Sequence, residues 1–175
     1  MKSVAILWIC CLCIAACHST TQPNSTDKKP EQYLRWVGDI EADPELDSPD
    51  FSLCNTESKV KQYFNDSRGL EYKGEFIAIE KAFRQKYQPV PSQKSGLIRI
   101  RFIVNCQGES GRFRLSAMDW NYQPQEFDEV ITSQLLQITK GLNGWMPKTV
   151  NGELSDYYQY LTFTIEEGNL TEIMP

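Results

Sequence analysis

The sequence predicts an α+β fold in which helices back one face of a small three-stranded antiparallel sheet. Two stretches carry apolar residues at helical spacing, and three others alternate between apolar and polar residues as strands do. They occur in the order helix, strand, strand, helix, strand, which is typical of helices gathered on one side of a sheet. With 175 residues, of which 41% are hydrophobic and 23% charged, we expect one domain with one core.

The two main helices are predicted over residues 75–87 and 125–142. The apolar stripe of the first consists of Phe76, Ile79, Phe83 and Tyr87. The stripe of the second consists of Phe127, Val130, Ile131, Leu135, Ile138 and Leu142. Two prolines, at 89 and 91, prevent the first helix from continuing. A shorter helix is predicted over residues 57–65.

The clearest strand is predicted over residues 97–106. One face of it carries Ile98, Ile100, Phe102, Val104 and Cys106, and the other carries Arg99, Arg101 and Asn105. A glycine-containing turn at 107–111 leads into a second strand over 112–118, so the two are expected to form a hairpin. The buried side of the second strand is predicted to carry Phe113, Leu115 and Ala117.

The last strand is predicted over residues 157–166, with Tyr157, Leu161, Phe163 and Ile165 on the buried face. A right-handed crossover would put the first strand in the middle of the sheet and leave the last strand at an edge. The opposite face of this edge strand carries Tyr158, Tyr160, Thr162 and Thr164, which are predicted to form a partner-binding edge. The alternative interpretation is a face that is simply in contact with water.

The first sixteen residues are predicted to be a signal peptide. Residues 4–16 carry no charge, yet a helix of this length spans only about 20 Å, less than the roughly 30 Å core of a bilayer. The stretch ends in Ile14-Ala15-Ala16-Cys17, which resembles a bacterial lipobox. Cys17 is therefore predicted to be the lipid attachment site; the alternative is an ordinary cleaved signal with an incidental cysteine.

Four segments are expected along the chain: the signal at 1–16, a flexible tether at 17–32, an N-terminal extension at 33–71 and the main domain at 72–175. The tether is polar throughout except for its prolines. It lacks the run of acidic residues that, in some Bacteroidetes-like lipoproteins, marks export to the cell surface. We therefore expect a lipoprotein of the cell envelope, anchored in the outer membrane and facing the periplasm.

Two cysteines lie beyond the predicted anchor, Cys54 and Cys106. An exported compartment is oxidising, so a disulfide between them is the favoured prediction, and two buried free thiols are the alternative. This disulfide would tie the N-terminal extension to the first strand of the sheet.

Catalysis, metal binding and nucleic-acid binding are all disfavoured. The single histidine of the chain, His18, falls in the tether, so the folded part would have no imidazole base or ligand. The acidic residues of 39–50 lack the spacing of a calcium loop and are expected to form a solvated loop. A net charge of −5 does not suit a phosphate-binding surface. We therefore expect no enzyme, no cofactor and no metal.

Five stretches between residues 72 and 165 form a recognisable series. They are, in order, Tyr72-Lys73-Gly74-Glu75, the strand from Gly96 to Asn105 followed by Gly108, the helix from Phe127, Gly144-Trp145-Met146-Pro147 with Gly152, and Leu161-Thr162-Phe163-Thr164-Ile165. In this order and spacing they resemble the carboxy-terminal domain of the TonB energy-transducing proteins. Trp145 and Pro147 are expected to pack the end of the second helix against the sheet.

This resemblance implies a small sheet backed by helices that binds an envelope protein or peptide by adding a strand at the sheet edge. The chain differs from TonB itself in its predicted lipid anchor and short tether, so we expect a binding module, with an association with transport as one role, rather than a force transmitter. The alternative is a structural periplasmic lipoprotein that acts as a spacer or contacts peptidoglycan.

Overall fold

Two helices and six strands are present in the part of the chain that the structure describes. The computed structural model describes residues 39–62 and 70–175. The elements are α1 (Glu75–Lys86), β1 (Gly96–Val104), β2 (Ser110–Met118), α2 (Glu129–Lys140), β3 (Lys148–Val150), β4 (Glu153–Ser155), β5 (Tyr157–Glu166) and β6 (Asn169–Met174). The predicted α+β class and the order of its main elements are confirmed.

The main sheet has four antiparallel strands in the order β2-β1-β5-β6, so the prediction of three strands was wrong. The predicted hairpin and the central position of β1 are confirmed. The additional strand, β6, follows β5 through a two-residue turn in which Glu167 and Gly168 both have positive φ angles, 49° and 84°. Such turns suit the twist of paired strands. A Glu-Gly pair signals this turn less clearly than Asn-Gly does, and β6 was missed for that reason.

A second, two-stranded sheet pairs β3 with β4 across Asn151 and Gly152. These two residues have φ angles of 53° and 84°. An Asn-Gly turn therefore connects the two strands.

The main core lies between the two helices and one face of the four-stranded sheet. The predicted inward positions of β1 and β5 are buried there, as are the stripes of both helices, with Phe76 only partly buried. Two predicted core residues are instead exposed: Leu115 on β2 (38%) and Val130 on α2 (57%). Both helices are also shorter than predicted. Trp145 packs on Phe102 of β1 with ring centroids 5.1 Å apart, which confirms its expected packing against the sheet, whereas Pro147 is exposed.

A smaller core covers part of the opposite face of the sheet. Ile40 from the N-terminal extension is buried with Ile103 and Tyr158, and partly buried side chains from 51–60 pack around them: Phe51, Leu53 and Val60. The residues of 57–62 contribute a short 3₁₀ turn, Glu57–Lys59, in place of the first part of the helix predicted over 57–65. The extension therefore converts a half-solvated sheet into one with apolar contacts on both faces.

The predicted disulfide joins Cys54 to Cys106, with their Cα atoms 5.9 Å apart. The carboxylate of Asp156, which has no solvent exposure, lies beside it. This carboxylate accepts hydrogen bonds from the backbone N–H groups of Cys54 (3.2 Å), Asn55 (2.8 Å) and Cys106 (3.0 Å). One buried side chain thus holds both cysteine backbones at the start of β5.

The predicted signal peptide, Cys17 and the tether all lie outside the described residues, as does the second half of the predicted short helix. Within the ranges given above, no helix is both long and apolar enough to cross a bilayer.

Candidate functional site

The residues predicted as a partner-binding edge lie on β5, which is not an edge strand. Thr162 pairs with Met174 and Thr164 with Glu172, so β6 occupies the side of β5 that was expected to be free. At the other end of β5, the N–H of Tyr158 donates to the carbonyl of Lys61 at 2.8 Å. The side chains of Tyr158, Thr162 and Thr164 are each less than a tenth exposed.

This face of β5 is therefore not a wet surface either. The guanidinium of Arg99 donates to the Thr162 hydroxyl at 3.2 Å and lies 5.5 Å from the centroid of the Tyr160 ring. The local alternation of Tyr and Thr with apolar residues could not show that other parts of the fold cover both faces of the strand.

Among the described residues, the outer side of β6 is a sheet edge. Tyr158 directs its N–H away from β1, so the even-numbered residues of β5 direct theirs towards β6. The backbone N–H and C=O groups of their partners Glu172 and Met174 face β5. Those of Ile173, which lies between these two residues, therefore face outward, away from the sheet. Such an edge can accept an additional strand.

A groove of about 350 Å³ runs between α1 and β6. Its lining is formed by Glu80, Phe83, Arg84, Tyr87, Pro89, Asn169, Leu170, Thr171, Glu172 and Ile173. Phe83 is fully buried and packs on Phe163 of β5, with ring centroids 4.8 Å apart. The helix therefore sits over the second strand from the edge, and β6 projects beyond it. This offset opens a groove beside the outer edge of the sheet.

The turn between β5 and β6 closes one end of this groove. The hydroxyl of Tyr87 donates to the carbonyl of Gly168 at 2.9 Å, and the N–H of Val90 donates to the same oxygen at 3.3 Å. Burial raises the pKa of Tyr87, which keeps its hydroxyl protonated as the donor of this bond. A Cβ atom at Gly168 would overlap the Val90 carbonyl oxygen. Only glycine fits this junction.

Charged groups lie along the rim of the groove. Arg84 forms an i,i+4 ion pair with Glu80 at 3.6 Å, and the Arg84 side chain is 74% exposed. Glu172 stands on the strand opposite and is exposed. An apolar floor with charges of both signs at the rim suits an extended polypeptide with alternating apolar and polar side chains.

The best-placed group of potential metal ligands in the described residues is Cys54, Cys106 and Asp156, whose ligand atoms lie within 4.8 Å of one another. Both sulfurs belong to the disulfide, and the carboxylate is engaged by backbone N–H groups. This cluster is therefore a structural feature rather than a metal site.

The acidic stretch at 39–50 forms turns, as expected, but Asp47 is engaged with the sheet. Its carboxylate receives two hydrogen bonds from the Arg114 guanidinium, at 2.6 and 2.9 Å. These bonds, more than any other cause, hold the pKa of Asp47 below its usual value of 3.8. The pairing joins the extension to β2.

No family model, no curated protein and no solved structure matches this chain.

Proposed function

We propose that this chain is a lipid-anchored cell-envelope protein whose folded domain binds an extended protein or peptide segment. The observation that carries the proposal is the position of the groove, directly beside the outer edge of β6. Binding by strand addition uses main-chain hydrogen bonds for affinity and alternate side-chain pockets for specificity. The chain offers both elements in one place.

In this arrangement the bound segment pairs with the outward N–H and C=O of Ile173. Every second side chain of the segment enters the groove and contacts Pro89 and Leu170, the more accessible apolar residues of its lining. The volume of about 350 Å³ is at the lower end of the roughly 300–1,000 Å³ typical of ligand pockets, and suits one or two anchoring apolar side chains.

The resemblance of residues 72–165 to the TonB carboxy-terminal domain supports the same mode of binding. The proposal differs from the sequence prediction in one respect: β6, rather than the strand carrying Tyr158, Tyr160, Thr162 and Thr164, provides the binding edge. The lipobox-like sequence ending at Cys17 supports an envelope location, with the domain facing the periplasm.

Photocrosslinking in intact cells tests this proposal. A benzophenone amino acid replaces Thr171, an exposed residue on the groove side of β6, and a matched probe replaces Ser133, which is exposed on α2. We expect the Thr171 probe, and not the Ser133 probe, to give a discrete adduct, and the adducted segment of the partner to alternate in hydropathy.

Strand addition is then distinguished from simple surface contact by hydrogen exchange. A synthetic peptide matching the adducted segment should slow exchange of the Ile173 amide, because this N–H would gain a hydrogen bond. The variant Thr171→Lys should weaken peptide binding about tenfold or more by placing a charge on the edge, whereas Ser133→Lys should leave it unchanged. Equal adducts at both probe positions, or unchanged exchange at Ile173, would overturn the proposal.

A further inference from the structure

Two large aromatic side chains are exposed in the turn that follows β2. Trp120 is 50% exposed and Tyr122 is 74% exposed. Leaving such side chains in water forgoes the stabilisation that their burial would give, so a pair held in the open indicates a contact surface.

The turn holds these two residues in a fixed arrangement. One carboxylate oxygen of Asp119 accepts the N–H groups of Asn121 at 2.8 Å and Gln123 at 2.9 Å. The backbones of Asp119 and Gln123 are also joined at 2.9 Å, and the N–H of Tyr122 donates to the Asp119 carbonyl at 3.0 Å. Because these bonds order the turn before any ligand arrives, binding at the aromatic rings carries a smaller entropic cost.

Trp120 also forms one wall of a cavity of about 650 Å³ at the end of the sheet. The other lining residues are Ser95, Glu166, Glu167, Asn169 and Thr171. The remaining wall is thus built from carboxylates, hydroxyls and an amide. It shares Asn169 and Thr171 with the groove beside α1, but its remaining lining differs from the apolar floor of that groove.

We propose that this cavity binds a neutral, hydroxyl-rich glycan, with one pyranose ring stacked on the Trp120 indole. The C–H face of a pyranose is apolar and flat, so it packs on an aromatic face, while the hydroxyls at its edge remain free to hydrogen-bond. The carboxylates of Glu166 and Glu167 accept hydrogen bonds from such hydroxyls, and Asn169 can both accept and donate.

The surroundings of the turn favour a glycan over an extended peptide. The edge of β2 is already closed here, because the N–H of Gln125 donates to the Ala117 carbonyl at 3.1 Å and Met118 bridges to Pro124. A peptide strand would find no free row of backbone N–H and C=O groups to pair with at this point. The carboxylates of Glu166 and Glu167 also repel acidic sugars, which favours neutral glycans over acidic ones.

Calorimetric titration of the full-length protein in detergent tests the site. The neutral probes are chitotetraose, cellotetraose and maltotetraose, which separate N-acetylated sugars from plain glucose polymers and β from α linkages; a hyaluronan tetrasaccharide is the acidic probe. We expect at least one neutral probe to bind and the acidic probe not to bind. Trp120→Ala should weaken the neutral binding about tenfold, whereas Trp120→Phe should retain most of it.

The matched control is Leu154→Ala. Leu154 is another exposed apolar residue (54%), but it lies on β4 and does not line the cavity, so its removal should leave glycan binding unchanged. Circular dichroism verifies that each variant is folded. The proposal is overturned if no neutral probe binds at millimolar concentration, if hyaluronan binds as well as the neutral probes, or if Trp120→Ala binds like the parent. None of these results bears on peptide binding at β6, which is tested separately.

Discussion

Removing the carboxylate of Asp156 should destabilise the protein more than removing any exposed carboxylate. This buried group accepts hydrogen bonds from the N–H groups of Cys54, Asn55 and Cys106, at 3.2, 2.8 and 3.0 Å. Hydrogen bonds to a charged group contribute about 1.5–3 kcal/mol each. The sum is reduced because two of the three hydrogen bonds share one carboxylate oxygen and because all three N–H donors are only partly buried. We therefore expect Asp156→Ala to lower the free energy of unfolding by about 4 kcal/mol.

The variant Asp156→Asn gives a graded comparison. The amide oxygen can replace the one that receives the N–H groups of Cys54 and Cys106, but the NH₂ group then faces the N–H of Asn55, donor against donor. About 2 kcal/mol should be lost, because one charge-assisted bond disappears and one donor is left unpaired.

Urea unfolding followed by tryptophan fluorescence, with the disulfide intact, measures both losses. Asp50→Ala is the control, since Asp50 is an exposed aspartate in the same extension, and its removal should change the free energy of unfolding by less than about 0.5 kcal/mol. A cost below about 1 kcal/mol for Asp156→Ala, or an equal cost for the Ala and Asn variants, would refute the argument that this carboxylate organises the three N–H groups.

Three further predictions concern the cross-link, an ion pair and a turn. Reducing the disulfide should lower the free energy of unfolding by roughly 4 kcal/mol on the chain-entropy account, measured by urea unfolding with and without reductant; an unchanged midpoint would contradict it. The pKa of Asp47 is lowered in the folded state, so its pairing with Arg114 stabilises the protein above the unfolded pKa near 3.8, and this stabilisation is lost as pH falls through the lower, folded pKa. Asp47→Asn should therefore lower the free energy of unfolding by about 1 kcal/mol at pH 7 and make it fall less steeply as the pH is lowered. If the variant loses stability towards acid as steeply as the original protein, the pairing does not have this role. Gly168→Ala should lower the free energy of unfolding by about 3 kcal/mol or more, measured by thermal or urea unfolding, because the new Cβ meets the Val90 carbonyl. The control Gly152→Ala has the same φ of 84° but lies in open space, and should cost only about 1 kcal/mol. Equal costs would show that the close approach to Val90 is unimportant.

The elements that bury one face were predictable, since burial on one side leaves a period in the sequence. The stripe through Ile79 and Phe83 predicted α1, and the alternation through Ile98 and Ile100 predicted β1. The pairing of Cys54 with Cys106 followed from composition and compartment, because they were the two cysteines left once three had been assigned to the signal peptide and Cys17 to lipid attachment.

Features that depend on distant segments were not predictable from local pattern. Ile103 falls on the polar face of β1 by alternation, yet it is fully buried because Ile40 packs over it. Leu115 falls on the apolar face by alternation and is nevertheless 38% exposed on the outermost strand. The candidate groove was missed together with β6, because the Glu167-Gly168 turn that precedes this strand is only a weak turn signal in the sequence.

The position of β1 between β2 and β5 also sets the order in which the chain can fold. Pairing with β2 closes a short hairpin loop, whereas pairing with β5 joins segments roughly 50–70 residues apart, a non-local contact that slows folding. The hairpin of β1 and β2 and that of β5 and β6 can each form early, but neither can complete the sheet alone. The docking of β5 on β1 is then the late step, and it is also the step that brings Asp156 to the two cysteines. Oxidation of Cys54 and Cys106 to the disulfide should accordingly follow the docking of β5 on β1, when the sheet is already assembled.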